Sequence, residues 1–283
     1  MIYCSTGGFR GMSGSKSTEF LATNGIQNIE LSAGIYEENI LDCLVKIKKE
    51  FNSISFTLHN YFPVPKQPFV FNLASLNNRI RAKSMRHALN AIDLAANVGA
   101  GIYSFHAGYL IDPKPRELGG KLHKQQINRR DESIDMFLNN LDTIAKYSSN
   151  RDIKIFVENN VLTKKNLLAF KENPLLMTHC SEIKDIFSAF PQNVGILIDV
   201  GHLKVSSMTF GLDATQELES LLPITSGYHI SDNDGKSDSN LTFTKGSWFN
   251  KIIRTDLEYY VIEVYRESPE TLKKQIDLLA SII

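Results

Sequence analysis

Ile196-Leu197-Ile198-Asp199-Val200-Gly201-His202, residues 196–202, sets a short apolar run directly before a carboxylate and, three residues on, an imidazole. The same arrangement recurs along the chain. Phe56-Thr57-Leu58 leads to His59, Ile102-Tyr103-Ser104-Phe105 to His106, Ile155-Phe156-Val157 to Glu158, Gly227-Tyr228 to His229 and Val261-Ile262 to Glu263. Taken singly, each is ordinarily a buried or surface polar residue. Metal-ligand residue types at the ends of so many strand-like runs are a joint pattern. If the runs are parallel strands of one closed barrel, their C-terminal ends face one mouth, where distant side chains converge. Imidazole nitrogens and carboxylate oxygens gathered there form a site for Zn²⁺ or Mn²⁺.

Working outward, β-branched or aromatic runs alternate with longer stretches of helical period, the pattern of β-α units in a parallel sheet. Strands are predicted at 2–5, 26–32, 54–58, 101–106, 153–158, 195–199, 226–231 and 259–264. Helices are predicted near 17–24, 37–51, 76–98, 124–147, 181–190, 212–222, 247–254 and 269–282. The clearest helix places Ile80, Ser84, His87, Ala88, Ala91, Ile92 and Ala95 on one face, and Gly99 closes it. Eight such units predict an α/β fold, a single (β/α)₈ barrel. An open doubly wound sheet is the alternative, but no G-x-G-x-x-G phosphate fingerprint follows the first strand. No composition shift marks a boundary, so one domain over residues 1–283 is expected. The stretch Pro63-Val64-Pro65-Lys66-Gln67-Pro68 falls where a loop would cover the mouth.

Thirty-one Lys plus Arg balance 31 Asp plus Glu, so no global field draws the chain to nucleic acid. Cys4, Cys43 and Cys180 lack close pairing, which argues against a disulfide framework and a thiolate zinc site. No apolar run is long enough to span a bilayer, and the start lacks the pattern of a secretory signal. A soluble cytoplasmic protein is therefore expected. Oligomeric state leaves no mark in the sequence.

Glu158, Asp199, His229 and Glu263 come from neighbouring strand candidates and can reach one ion, an oxygen-rich set suited to Mn²⁺, Mg²⁺ or Zn²⁺, with Co²⁺ also compatible. His59 and His106 lie on the Glu158 side, and a bridging carboxylate gives a second ion a place. His202 with Asp238 forms a weaker third cluster, equally suited to touching a substrate hydroxyl. His87, His123 and His179 read as structural. Lys245, Arg266 and Arg10 are candidates to hold a phosphate or carboxylate on the substrate.

These motifs resemble the xylose-isomerase-like TIM barrels, which hold sugar isomerases and epimerases together with the endonuclease IV family. His59-Asn60-Tyr61-Phe62 with Phe71-Asn72-Leu73-Ala74-Ser75 is similar to the endonuclease IV segment in which a metal-binding His precedes an Asn-Leu pair. Phe105-His106-Ala107-Gly108 resembles that family's Phe-His-Pro-Gly, with Ala107 in place of proline. The Asp199-x-x-His202 pair and the strand-end Glu158, His229 and Glu263 also match. The departure is at Asp238-Ser239-Asn240, where endonuclease IV proteins carry Asp-x-His. A neutral amide is a poor zinc ligand, which weakens a third metal site. Ile29-Glu30-Leu31-Ser32 and His229-Ile230-Ser231-Asp232-Asn233-Asp234-Gly235 look more like the sugar isomerase branch.

The resemblance implies two chemistries. The first is a divalent-metal-dependent sugar or sugar phosphate isomerase or epimerase working through a metal-stabilised enediolate. By similarity to the epimerases, Glu158 and Glu263 are its acid/base pair and also bind metal. Asp199 and His229 complete the metal site, while His202, His59 and His106 contact a carbohydrate substrate. The alternative is an endonuclease IV-like phosphodiesterase acting on abasic DNA, favoured by His59 and His106 and opposed by Asn240.

Overall fold

The computed structural model describes residues 1–283. Its strands are β1 (Ile2–Ser5), β2 (Asn28–Leu31), β3 (Ser55–His59), β4 (Ile102–His106), β5 (Lys154–Glu158), β6 (Val194–Asp199), β7 (Thr225–Ile230) and β8 (Tyr260–Ile262). All pair in parallel in chain order, and β8 pairs with β1 to close the barrel. The helices are α1 (Gly14–Thr23), α2 (Ile40–Glu50), α3 (Asn78–Val98), α4 (Arg130–Ser149), α5 (Lys164–Phe170), α6 (Cys180–Phe187), α7 (Val200–Phe210), α8 (Ala214–Leu221) and α9 (Pro269–Ala280). This is the (β/α)₈ arrangement. No helix is long and apolar enough to cross a membrane.

Alternation along each strand divides the apolar residues into two bodies. Cys4, Ile29, Phe56, Leu58, Tyr103, Ile155, Ile196, Tyr228 and Tyr260 belong to the large core of 54 buried residues that also takes in helix residues such as Ala91, Phe137 and Leu203. Tyr3, Phe156, Leu197, Tyr259 and Val261 form a separate cluster of five. The strand wall lies between them, because neighbouring side chains point to opposite faces. Continuing the interior phase by two residues takes Phe156 to Glu158, Leu197 to Asp199, Val261 to Glu263 and Tyr3 to Ser5. The barrel is thus plugged by apolar side chains, and the next layer towards the C-terminal mouth is polar. Register aligns that layer: His106 pairs with Glu158 and Asp199 with His229.

The predicted strands hold to within a few residues, whereas the helices show four differences. The helix predicted over 124–147 begins only at Arg130. Residues 124–129 are irregular, and Asn128 donates its backbone N–H to Leu110 O across a loop contact. The helix predicted over 247–254 is absent. Phe249 and Ile253 are buried at helical spacing, yet the Ile253 N–H to Phe249 O bond is not propagated, and Asn250 caps Thr244 O instead. Two helices escaped the periodicity. Helix α5 has only seven residues, too short to show a stripe. Helix α7 is buried over most of its first eight residues and so has no polar face to reveal a period.

Candidate metal centre

Glu158, at the end of β5, is the hub. Its Oε2 lies 3.3 Å from His59 Nε2 and 3.4 Å from His106 Nδ1. Its Oε1 lies 3.3 Å from both His202 Nδ1 and His229 Nδ1. Glu263 Oε2, on the chain leaving β8, approaches the same His229 Nδ1 at 3.5 Å. Asp199 caps α7, its Oδ1 accepting the His202 backbone N–H at 2.7 Å, which leaves Oδ2 turned inward. Backbone geometry and ligand geometry are therefore one feature: the residue that ends β6 also starts α7. Gly201 fits here because a Cβ would lie 3.1 Å from Asp199 Oδ1 and 3.0 Å from Ser231 Oγ.

The hydrogen bonds leave a set of donor atoms without protein partners. Glu158 Oε1 and Oε2, Asp199 Oδ2, His106 Nδ1 and His229 Nδ1 are all buried and unbonded. His59 Nδ1 is taken by Ser104 Oγ at 2.9 Å, and His229 Nε2 donates to Glu30 Oε2 at 3.1 Å. The nitrogens left over face carboxylate oxygens. Two acceptors in contact require a cation or a proton between them. Three groups of ligand atoms are close enough to share an ion: Glu158, Asp199, His229 and Glu263; His59, His106 and Glu158; and Glu30, His59 and His229, whose nitrogens facing Glu30 are engaged in other contacts or carry the proton it accepts. In each, every ligand atom lies within 4.8 Å of the others. The residues fit one divalent ion in the first group and a second ion across Glu158.

Electrostatics say the same. Burial pushes the Asp199 carboxyl up to about 8, aided by Asp238, Glu158 and Glu263 and opposed by His202. Burial also raises Glu158, but His106, His229 and His59 more than offset it and hold that carboxyl well below the usual range. Glu263 is likewise raised by burial and then brought down to about 2, chiefly by His229. His229 is lowered by burial, yet Glu30, Glu158 and Glu263 lift it well above an ordinary imidazole. His106 is lowered to about 4, mainly by burial. Close-packed buried carboxylates thus ionise only where positive charge is supplied, here by imidazolium protons that a divalent ion would replace.

The third cluster is partial. His202 Nε2 is 3.3 Å from Asp238 Oδ2 and 3.8 Å from Asp199 Oδ2, while His202 Nδ1 donates to Asn159 O at 3.0 Å. Asn240 is buried in a left-handed backbone conformation (φ 47°).

A cavity of about 360 Å³ opens above the cluster, with His59, His106, His202, Asp238 and Glu263 in its lining and Tyr61, Phe69 and Phe71 on one wall. Arg10 also lines it, whereas Lys245 and Arg266 are exposed and do not. The expectation that those two residues contact substrate is therefore not carried by their placement. His87 is buried on α3 and donates to Asn60 O, His123 pairs with Glu117, and His179 caps α6.

Three residues around the site carry no strand-end signal. Glu30 sits inside β2, fully buried, and its Oε2 also accepts from Tyr259 at 2.5 Å. Tyr265 donates to Glu263 Oε1 at 2.8 Å. In the sequence Glu30 shows as a lone charge within a strand otherwise reading apolar, and within the Ile29-Glu30-Leu31-Ser32 resemblance, neither of which assigns it a role.

The model of the xylose isomerase-like TIM barrel family matches residues 18–282. The chain belongs to that family. Among solved structures, the fold is similar to a D-tagatose 3-epimerase-like protein at TM-score 0.71 and 19% identity, over 99% of this chain and 98% of the other. It is also similar to D-psicose 3-epimerase from Clostridium cellulolyticum H10, solved with D-tagatose, at TM-score 0.64 and 13% identity, over 99% and 90%. At these identities the likeness is one of fold. A probable endonuclease 4 of Mycobacterium leprae (strain Br4923) is 29% identical over 73 residues. That match spans 26% of this chain and 29% of the length of the relative.

Proposed function

We propose that the chain is a divalent-metal-dependent isomerase or epimerase of a sugar or sugar phosphate. The observation that carries this reading is the convergence of Glu158 and Glu263 on one imidazole, His229 Nδ1, at the floor of a cavity large enough for a small ligand. A Mn²⁺ or Zn²⁺ ion held by Glu158, Asp199, His229 and Glu263 would stabilise negative charge developing on substrate oxygens. Proton transfer falls to the glutamates: Glu263, with Tyr265 and Ser5 donating to its Oε1, takes or returns a proton on one face of the sugar, and Glu158 serves the other. His202, in the cavity lining and held by Asn159 O, contacts a hydroxyl. Arg10 is the cationic side chain placed to meet a phosphate or carboxylate. The aromatic wall of Tyr61, Phe69 and Phe71 excludes water from the reacting carbons.

The test is deuterium exchange into the carbon-bound position next to the carbonyl of keto- and aldo-sugars in D₂O with Mn²⁺ or Zn²⁺. Wild type is expected to exchange, and Glu263→Gln to lose at least about 10²-fold in rate while remaining folded. Undiminished exchange in that variant removes Glu263 from the acid/base pair.

A second reading, phosphodiester hydrolysis, is favoured by the grouping of His59 and His106 on Glu158 Oε2, which a one-metal isomerase does not require. Asn240 opposes it. Chelator-sensitive cleavage of an abasic oligonucleotide, without sugar exchange, would establish that reading in place of the first.

A further inference from the structure

We infer that Glu30, held in place by Tyr259, is the positioning residue that makes His229 a metal ligand, and that this buried pair sets how tightly the first ion is retained. The inference rests on the metal reading above and adds residues to it that lie outside the ligand set.

The geometry is a chain of hydrogen bonds directed at one atom. Tyr259 Oη donates to Glu30 Oε2 at 2.5 Å, and His229 Nε2 donates to the same oxygen at 3.1 Å. A carboxylate only accepts, so a proton is fixed on His229 Nε2, and Nδ1, facing Glu158 Oε1 and Glu263 Oε2, is the nitrogen left to exchange its own proton for an ion. Without Glu30, the two carboxylates facing Nδ1 would favour the tautomer that keeps its proton there, the one that cannot bind an ion. The negative charge behind the ring also makes Nδ1 a stronger donor to a cation.

Glu30 is itself close enough to be counted with His59 and His229 as a ligand group. Its bonding argues otherwise. The oxygen nearest His229 is occupied by two donors, and the nitrogen it faces carries the proton. Its effect on an ion therefore passes through the imidazole.

The surroundings are built for this contact. Tyr259 belongs to the apolar plug with Tyr3, Phe156, Leu197 and Val261, so its ring is packed and its hydroxyl is aimed. Gly227, two residues before His229, makes room for it: a Cβ there would lie 2.7 Å from Tyr259 Cδ1 and 2.9 Å from Tyr259 O. Glu30, Tyr259 and His229 are each fully buried. A buried carboxylate costs stability, and Glu30 Oε1 has no partner at all. A structural role alone does not explain a carboxylate at this position, since a neutral side chain would relieve that cost.

The test is the affinity of the metal-free chain for Zn²⁺ or Mn²⁺, measured by competition with a chromogenic chelator. Wild type is compared with Glu30→Gln, Tyr259→Phe and His229→Gln, and each metal-free variant is also melted. Glu30→Gln is expected to weaken the tighter ion about 10–100-fold, with Tyr259→Phe weakening it less and His229→Gln more. The metal-free Glu30→Gln chain is expected to melt at or above the wild-type midpoint, which separates positioning from a scaffold role. Unchanged affinity in Glu30→Gln and Tyr259→Phe, with affinity lost in His229→Gln, overturns the inference and leaves the metal reading standing. A wild-type chain that takes up neither ion overturns both.

Discussion

At the scale of single residues, the site is governed by what each polar atom is left facing. Glu158 and Glu263 share His229 Nδ1, and Tyr265 takes up the other oxygen of Glu263. Gly7 bears directly on that contact, because a Cβ there would lie 2.2 Å from the Tyr265 hydroxyl. Gly7→Ala and Tyr265→Phe should therefore cause the same loss, about 10-fold in divalent-ion affinity or activity. The double variant should be no worse than either single one, because both remove one hydrogen bond. Additive losses in a double-mutant cycle would show that Gly7 acts elsewhere. The ligand set was legible at this scale because each ligand ends a strand and follows an apolar run. Glu30 was not, since it lies within β2, and Tyr259 and Tyr265 are residue types that ordinarily report packing. Lys245 and Arg266 stand out in the sequence by charge alone, and charge on a loop does not tell where the loop goes.

At the scale of elements, the loop after β3 is tied to α3 through His87. Its imidazole donates to Asn60 O and packs against Tyr61, Phe69 and Phe71, the wall of the cavity. Burial lowers His87 from 6.5 to about 4, so the folded chain holds it neutral where an unfolded chain would protonate it. The stabilisation is whole above pH 6.5 and is lost as pH falls towards 4, a total loss of roughly 3 kcal/mol. Urea unfolding at pH 7 and pH 4.5 should show that decrement in wild type and a smaller one in His87→Gln. Equal decrements would mean that His87 is protonated or solvated in the folded state. The helix carrying His87 was readable from its apolar stripe and Gly99. Helix α7 was hidden by its burial, and 247–254 carried a stripe without the hydrogen bonds to match.

At the scale of the whole molecule, barrel closure is what turns a list of strand ends into a site. His229 meets Glu30 across 199 residues of sequence, and Tyr259 meets it across 229. Such non-local pairing makes the centre dependent on β8 closing against β1, so ligands and fold form together. An ion that binds only the closed barrel then stabilises it by mass action. The barrel itself was legible because eight apolar runs alternate with helical segments. The layering of its interior, apolar plug below and polar ring above, emerges only once register is known. The decisive measurement is elemental analysis of the chain purified without chelator or a histidine-rich tag, alongside Glu158→Ala. At least one tightly held Mn²⁺ or Zn²⁺ per chain in wild type, lost in the variant, is the expected result. A wild-type chain that carries no such ion and takes none up when Mn²⁺ or Zn²⁺ is added contradicts the metal centre on which the proposed chemistry depends.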